Sequence, residues 1–386
     1  MEDYLLRARA EIDLGAIRCN YNIAKASGKK VMCVIKGDAH GHGAVKCGRF
    51  LESLGADAFA VACLEEALQL RDGGITKPIL ILGYTPPTPD AVAVIARAGL
   101  MQTLLDEEYA QCLDKSARSA GVRVECHIKL DTGMSRLGVY AQGAKAAKEA
   151  GVCARRMFDL EGLKVSGIYT HFSAADMPDR AWYVRCQIDN FLTALDALGL
   201  DTLPERPLIH MSNSAAIMGC PEARFDMVRA GVMLYGLYPD NLPHPDGPLM
   251  PALCLKAPVV QIKELSEGAY VSYGMTYRIP QRTRVAIVAA GYADSYPRAL
   301  SNTGAWALIG GMRCRQIGRV CMDLTLFDVG SAKVEVGDDV ILYGAGGMSL
   351  EEAAQLSDTI NCAITSTLTN RVKRIYRGGN SYIQDD

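Results

Sequence analysis

Eight short apolar runs recur between residues 31 and 232, with stretches of helical spacing between most of them, and few folds accommodate that rhythm. The strand candidates are 31–35, 58–63, 78–82, 101–105, 122–130, 164–170, 208–211 and 227–232. Helical patterns lie between most of them, for example 43–54, 64–72, 106–120 and 179–198. Strands buried on both faces read as apolar runs rather than as alternating ones. The alternation therefore predicts an α/β fold built on a parallel (β/α)8 TIM-like barrel. In such a barrel, chemistry gathers at the carboxyl ends of the strands. An earlier strand, 9–14, and a helix, 15–26, precede the series.

The texture changes after Gly236. Residues 237–250 hold four of the sixteen prolines, and beyond them come short alternating stretches at 257–262, 285–289, 305–309, 313–317 and 339–343. A helix at 349–356 and another near the carboxyl end follow. This predicts a barrel over 1–240 and a mainly β C-terminal domain over 241–386.

Lys36 falls where a barrel would use it. Val31 to Ile35 are all apolar, and they deliver the lysine to the strand's carboxyl end just before Gly37, Gly41 and Gly43 loosen the backbone. An amine held there out of water can form a Schiff base with an aldehyde such as pyridoxal phosphate. The same position also suits a lysine that merely closes a strand, and the flanking residues decide between the two.

The run Val34-Ile35-Lys36-Gly37-Asp38-Ala39-His40-Gly41-His42-Gly43 resembles the cofactor-lysine signature of the alanine racemase family, the fold type III pyridoxal-phosphate racemases. Further family-like segments recur in order to about Arg374. The resemblance implies pyridoxal 5'-phosphate as cofactor, an amino-acid substrate and a head-to-tail homodimer with composite sites. Lys36 is the implied cofactor lysine and the base on one face of the substrate.

Tyr273, in the SYG-x-TY-like Ser272-Tyr273-Gly274-Met275-Thr276-Tyr277, is the implied second base, reaching the partner's barrel. An ordinary phenol titrates near about 10, so its neighbours must favour the phenolate. His171, in a THF segment, is implied beside the cofactor ring. Phosphate is implied at Ser214 and at the backbone of Gly231 and Val232, in the loops after strands seven and eight, where barrels commonly hold it. Arg229 matches the arginine set against the pyridine nitrogen. A guanidinium does not yield its proton, so it would keep the ring a weak electron sink and suppress transamination.

Lys129-Leu130-Asp131-Thr132-Gly133-Met134-Ser135-Arg136 resembles the family's K-x-DTGM-x-R segment. It places Arg136 near the substrate carboxylate and Lys129 where many members carry a carbamylated lysine. Met322 matches a residue whose backbone N–H meets the substrate carboxylate, and Tyr292 matches a tyrosine of the access channel. Two positions depart from the pattern. His40 stands where the family has a phosphate-contacting tyrosine, so cofactor binding is expected to persist with a pH dependence. Asn370 stands where alanine racemases carry a tyrosine and serine racemases similar to those of vancomycin-resistant bacteria carry asparagine. A smaller amide side chain makes room for, and can hydrogen-bond, a hydroxymethyl group.

Composition excludes several other classes. Of 386 residues, 49% are hydrophobic and 22% charged, with a formal net charge of -2 that gives no electrostatic case for nucleic acid or a membrane surface. The first thirteen residues carry charges where a signal peptide is apolar, and no apolar run reaches membrane-spanning length, so a cytoplasmic location is expected. The thirteen cysteines form no CxxC pair and read as small core residues. His40 and His42 lack further ligands at a metal-site spacing, so no metal is expected.

The expected activity is interconversion of L- and D-alanine, with serine as a second or main substrate, the product feeding D-amino-acid-containing cell-wall peptides. A basic amino-acid decarboxylase of the same fold is disfavoured because no EPGR-like or carboxyl-terminal Cys-Glu-Ser segment occurs. A pyridoxal-phosphate carrier without turnover is disfavoured because the second domain, with Tyr273 and Met322, is retained.

Overall fold

The computed structural model describes residues 7–242, 244 and 247–378. It forms two compact units. One comprises residues 21–39 and 44–231, and the other the residues up to 20, 40–43 and those from 232 on.

In the first unit, the strands β2 (Lys30–Val34), β3 (Ala58–Val61), β4 (Ile79–Ile81), β5 (Leu100–Leu104), β6 (Val124–Asp131), β8 (Leu163–Tyr169), β9 (Leu208–His210) and β10 (Met227–Ala230) are parallel. They run in the order β5-β4-β3-β2-β10-β9-β8-β6, and pairing of β5 with β6 closes the barrel. A two-residue strand, β7 (Val139–Tyr140), lies alongside β6. All eight expected strands are present.

The barrel interior is packed, not hollow. Met32 and Val34, Ala58 and Ala60, Leu80, Met101, Tyr169 and Met227 form one buried cluster. Within β2 and β3 they are alternate residues, as the two-residue period of a strand requires. Burying a Val or Met side chain this way is worth about 1.5–3 kcal/mol. The surrounding helices begin where their caps say they should. Asp106 accepts from the Tyr109 N–H at 2.7 Å, and Thr88, followed by Pro89, accepts from Ala91.

Directly after β2 the backbone makes a left-handed turn. Gly37, Asp38, Ala39 and His40 have φ of 60°, 52°, 56° and 51°. Each non-glycine residue held so costs about 1–2 kcal/mol. Local hydrogen bonds offset that cost: Gly37 N–H donates to Glu66 Oε1 at 2.7 Å, and Asp38 Oδ1 accepts from Ala44 N–H at 2.7 Å. The strain fixes where the chain goes after Lys36. At Gly41, φ +88°, only a glycine fits, since a Cβ there would lie 1.9 Å from the Thr365 carbonyl oxygen.

The second unit is a sheet of eight strands in the order β14-β17-β16-β15-β18-β11-β1-β19, with β11 also pairing β14 so that part of it closes on itself. These are β1 (Arg9–Asp13), β11 (Leu253–Leu265), β14 (Thr283–Val288), β15 (Trp306–Ile309), β16 (Met312–Gln316), β17 (Thr325–Asp328), β18 (Asp339–Gly344) and β19 (Lys373–Arg377). Two register shifts bend the thirteen-residue β11, letting it serve β18 and β14 in turn. A small hairpin, β12 (Tyr270–Val271) with β13 (Tyr277–Arg278), stands apart.

The chain does not divide at a single point near residue 240. β1 pairs antiparallel with β11 and parallel with β19, so the chain's first strand belongs to the second sheet. At the other end, the helix Asn361–Ser366 is followed by the strand β19, which the sequence reading did not include.

Candidate active site

Adjacent barrel strands bring the predicted residues of the first unit to one end. Lys36 follows β2, Arg229 sits in the neighbouring β10, His210 ends β9, His171 follows β8, and Lys129 lies in β6. Lys129 is in register with Tyr169, and Tyr169 with His210.

Arg229 is the most tightly held of these side chains, at 3% exposure. Its Nη1 donates to His210 Nδ1 and to the His210 carbonyl, both at 3.1 Å. Its Nη2 donates to the carbonyls of Thr170 (2.6 Å) and Met211 (3.1 Å) and to His171 Nδ1 (3.3 Å). The guanidinium lies over the Tyr169 ring, 5.1 Å from its centre. Burial pushes its pKa down to about 10, so it is charged at neutral pH. Among the described residues no acceptor faces its Nε–H. Because an arginine only donates, His171 must accept at Nδ1 and carry its proton on Nε2. Burial, with Arg229 and Arg136 next in weight, holds the His171 pKa well below the usual range, so the ring is neutral.

Lys129 is 5% exposed, with its amine 5.8 Å from the Tyr169 ring centre. Burial and the nearby cations Arg136, Arg229 and Lys36 lower its pKa to about 8, opposed by Asp131. Asp131 shapes the next loop, its Oδ1 accepting from the N–H groups of Gly133, Met134 and Ser135. The helix Ala181–Leu198 holds that loop from outside: Asn190 donates to the Thr132 carbonyl, Gln187 to Thr132 Oγ1 and the Tyr183 hydroxyl to the Gly133 carbonyl. Arg136 extends from it into solvent.

Ser214 opens the helix Ser214–Gly219 after β9, and its Oγ accepts from Gly231 N–H at 3.0 Å. A Cβ on Gly231 would sit 3.6 Å from Val34 and 3.7 Å from Ser214 Oγ, filling the space above both.

The other predicted residues belong to the second unit. Val232 begins the short turn Val232–Tyr235, and the His40 ring lies 5.2 Å from that of Tyr235. Tyr273 is 68% exposed, on a turn after Ser272, whose φ of 62° is another strained position. Ser272 Oγ donates to the Arg319 carbonyl at 2.6 Å, tying this turn to the segment that ends in Met322. Tyr292 and Ala293 N–H donate to the carbonyls of Cys321 and Met322 at 3.1 and 3.0 Å. Arg371 binds both Asp294 and Asp323, and Thr369 Oγ1 donates to the Ala293 carbonyl. Tyr292 and Met322 are thus joined by one hydrogen-bonded network, which the neighbours of the exposed Asn370, Thr369 and Arg371, also enter, with the Tyr273 turn anchored beside it.

His127, Gln187 and Asn190 belong to none of the segments that pointed to the site from the sequence, and no role for His210 was legible there. A histidine inside the apolar runs Leu208–His210 and Val124–Asp131 was the signal available.

The family model "Alanine racemase, N-terminal domain" matches residues 12–239, and "Alanine racemase, C-terminal domain" matches 252–376. The chain belongs to the alanine racemase family. An alanine racemase from Desulforamulus reducens is 41% identical, over 96% of this chain and 98% of its own length. The alanine racemase of Clostridium difficile 630 superposes with a TM-score of 0.88 at 35% identity, covering 98% of each chain. That of Bacillus anthracis, solved with bound L-Ala-P, gives 0.85 at 34% identity over 97% of this chain and 96% of that one. The protein is therefore an amino-acid racemase, an isomerase.

Membership in the alanine racemase family implies pyridoxal phosphate, and the barrel site fits it. Lys36, Arg136 and Arg229 would supply positive charge for an anionic cofactor and substrate. The Gly231 cradle leaves room beside Ser214, and the Arg229 Nε–H is available for a ring nitrogen. Among the described residues no helix is long and apolar enough to cross a membrane, and no cluster of three or more His, Cys, Asp or Glu could hold a metal.

Proposed function

We propose that this racemase interconverts L- and D-alanine with pyridoxal 5'-phosphate in the barrel. It acts as a cytoplasmic homodimer whose product supplies D-amino acids for cell-wall peptides. The observation that carries the reading is the clamped guanidinium of Arg229 amid the cations around Lys36. Bound pyridoxal phosphate supplies a reactive aldehyde and a conjugated ring that draws electron density from the substrate's α-carbon.

Lys36 would hold the cofactor, and its amine would carry the α-proton on the face that gives the D-enantiomer. Tyr273 of the partner subunit does so on the L face, since racemisation needs a base on each side. Its exposure in its own subunit, together with exposed Met275, Tyr292 and Met322, supports a face that a second copy covers. Ser214 and the N–H groups of Gly231 and Val232, with His40, hold phosphate. His171, protonated at Nε2, can donate toward the tyrosine. Arg136 and the N–H of Met322 of the partner subunit receive the substrate carboxylate, and Tyr292 lines the way in.

The direct test is incubation of the cofactor-loaded protein with L-alanine in deuterated water. Racemisation to equal amounts of both enantiomers with deuterium at the α-carbon supports the reading. Bound cofactor without exchange would make the protein a carrier.

Serine as a second or main substrate is supported by the exposed amide of Asn370, whose neighbours Thr369 and Arg371 bind Ala293 and Asp294. Asn370→Tyr is expected to lower kcat/KM on L-serine relative to L-alanine by about tenfold. An unchanged ratio removes Asn370 from substrate choice.

Lys129 is set up for carbamylation. A buried amine with a pKa near about 8 is largely neutral above that pH, and only the neutral amine adds carbon dioxide. With 13C-bicarbonate, a carbamate carbon signal is expected to grow from pH 7 to 9 and to be absent from Lys129→Gln. A signal that persists in the variant assigns the modification elsewhere.

A further inference from the structure

The buried network beneath Arg229 continues past it. His210 Nε2 lies 2.9 Å from His127 Nδ1, deep in the barrel, where His127 is 1% exposed. The geometry points to His127 as a positioning residue for racemisation: by accepting the Nε2 proton of His210 it fixes the one tautomer in which His210 can accept from Arg229. The inference rests on the reading that Arg229 faces the cofactor ring.

Arg229 has only hydrogens to offer, so His210 Nδ1, 3.1 Å from Nη1, must present a lone pair. Burial, together with Arg229 and His127, holds the His210 pKa well below the usual range, so its single proton sits on Nε2. That proton points at His127 Nδ1, which must in turn be bare. His127 is itself held neutral, its pKa pushed down to about 3 by burial and then Arg229, and carries its proton on Nε2. Its ring lines a cavity of about 170 Å³ at the other mouth of the barrel, with Lys30, Asp57, Glu125 and Ser166.

Neither ring can turn to suit another arrangement. His210 is stacked on Tyr169, with centres 4.9 Å apart and planes 13° apart. Thr103 Oγ1 gives its only hydrogen to the Ile81 carbonyl at 2.7 Å, so it accepts from the Tyr169 hydroxyl at 3.0 Å and pins that ring. His127 lies flat on Gly167, where a Cβ would come within 2.5 Å of the imidazole. The β6–β8 register shifts between Cys126 and His127. With rotation closed off, the donor at Arg229 Nη1 and the acceptor at His127 Nδ1 together decide where the His210 proton resides, and His127 is the group that receives it. Were it on Nδ1, two donors would face each other across 3.1 Å and the clamp on Arg229 would open.

The test is 15N NMR of the imidazole nitrogens in histidine-labelled protein, with and without cofactor, from pH 6 to 9. Wild type should show His210 protonated at Nε2 and bare at Nδ1 throughout, whether or not cofactor is bound. His127→Leu, which removes the acceptor, should mix the two His210 tautomers and lower kcat by about tenfold with little change in KM. His127→Asn, whose amide oxygen can take the place of Nδ1, should recover the wild-type tautomer and most of the loss.

A wild-type His210 protonated at Nδ1 overturns the proposal even if no variant folds. Equal losses in both variants with the tautomer unmoved overturn it too. Arg229→Lys separates the two levels of the argument. If it changes kcat while His127→Leu does not, the His127 proposal alone fails; if neither does, the placement of Arg229 fails with it.

Discussion

Lys36→Ala is expected to abolish racemisation in both directions, lowering kcat by at least about a thousandfold, because one side chain both holds the cofactor and serves as a base. The loss should not come from unfolding. Lys36 is half-buried at the rim of the barrel, outside the interior cluster of Met32, Val34 and their neighbours. Circular dichroism and the melting temperature should stay close to wild type. Borohydride reduction of the cofactor-loaded wild type, followed by peptide mapping, should mark residue 36, and the variant should carry no mark. A mark on another lysine, Lys129 above all, would reassign the cofactor residue.

Tyr273→Phe is expected to lower kcat for both enantiomers by about a hundredfold to ten-thousandfold, the range for loss of a positioned acid–base group. It should leave cofactor binding and the fold intact, since the side chain is exposed in its own subunit. The informative readout is isotope exchange. In deuterated water, D-alanine should still exchange its α-hydrogen through Lys36, whereas exchange of L-alanine should collapse with racemisation. Equal exchange of both enantiomers in the variant would mean that one base serves both faces.

The barrel was legible because its strands are covered on both sides: Val31–Ile35 and Ala58–Val61 are buried throughout and read as apolar runs, and their spacing leaves room for a helix between each pair. β19 was not legible, because Lys373, Arg374 and Arg377 make it read as surface, which is how a sheet edge is kept from pairing further. β1 was legible as a strand but not as part of the second sheet, since its partners lie more than two hundred residues away and nothing local names them.

The site divides the same way. Lys36 stands at a strand end beside Gly37, and Arg229, two residues before Gly231, was legible through the segment's resemblance to the family. What holds Arg229 does not: its acceptors are the carbonyls of Thr170, His210 and Met211 and the ring nitrogens of His171 and His210, which only the strand order β10-β9-β8 brings together. A motif gives the residue that acts, while the register supplies the atoms that aim it.

The most direct measurement of the central claim is subunit complementation between Lys36→Ala and Tyr273→Phe, each nearly inactive alone. Unfolded, mixed in equal amounts and refolded, half the dimers pair one variant with the other. If each site joins Lys36 of one subunit to Tyr273 of its partner, every mixed dimer holds one intact site, and the mixture regains about a quarter of wild-type activity. If the two residues act within one chain, every site in the mixture lacks one of them, and activity that stays at the level of the separate variants would contradict the account.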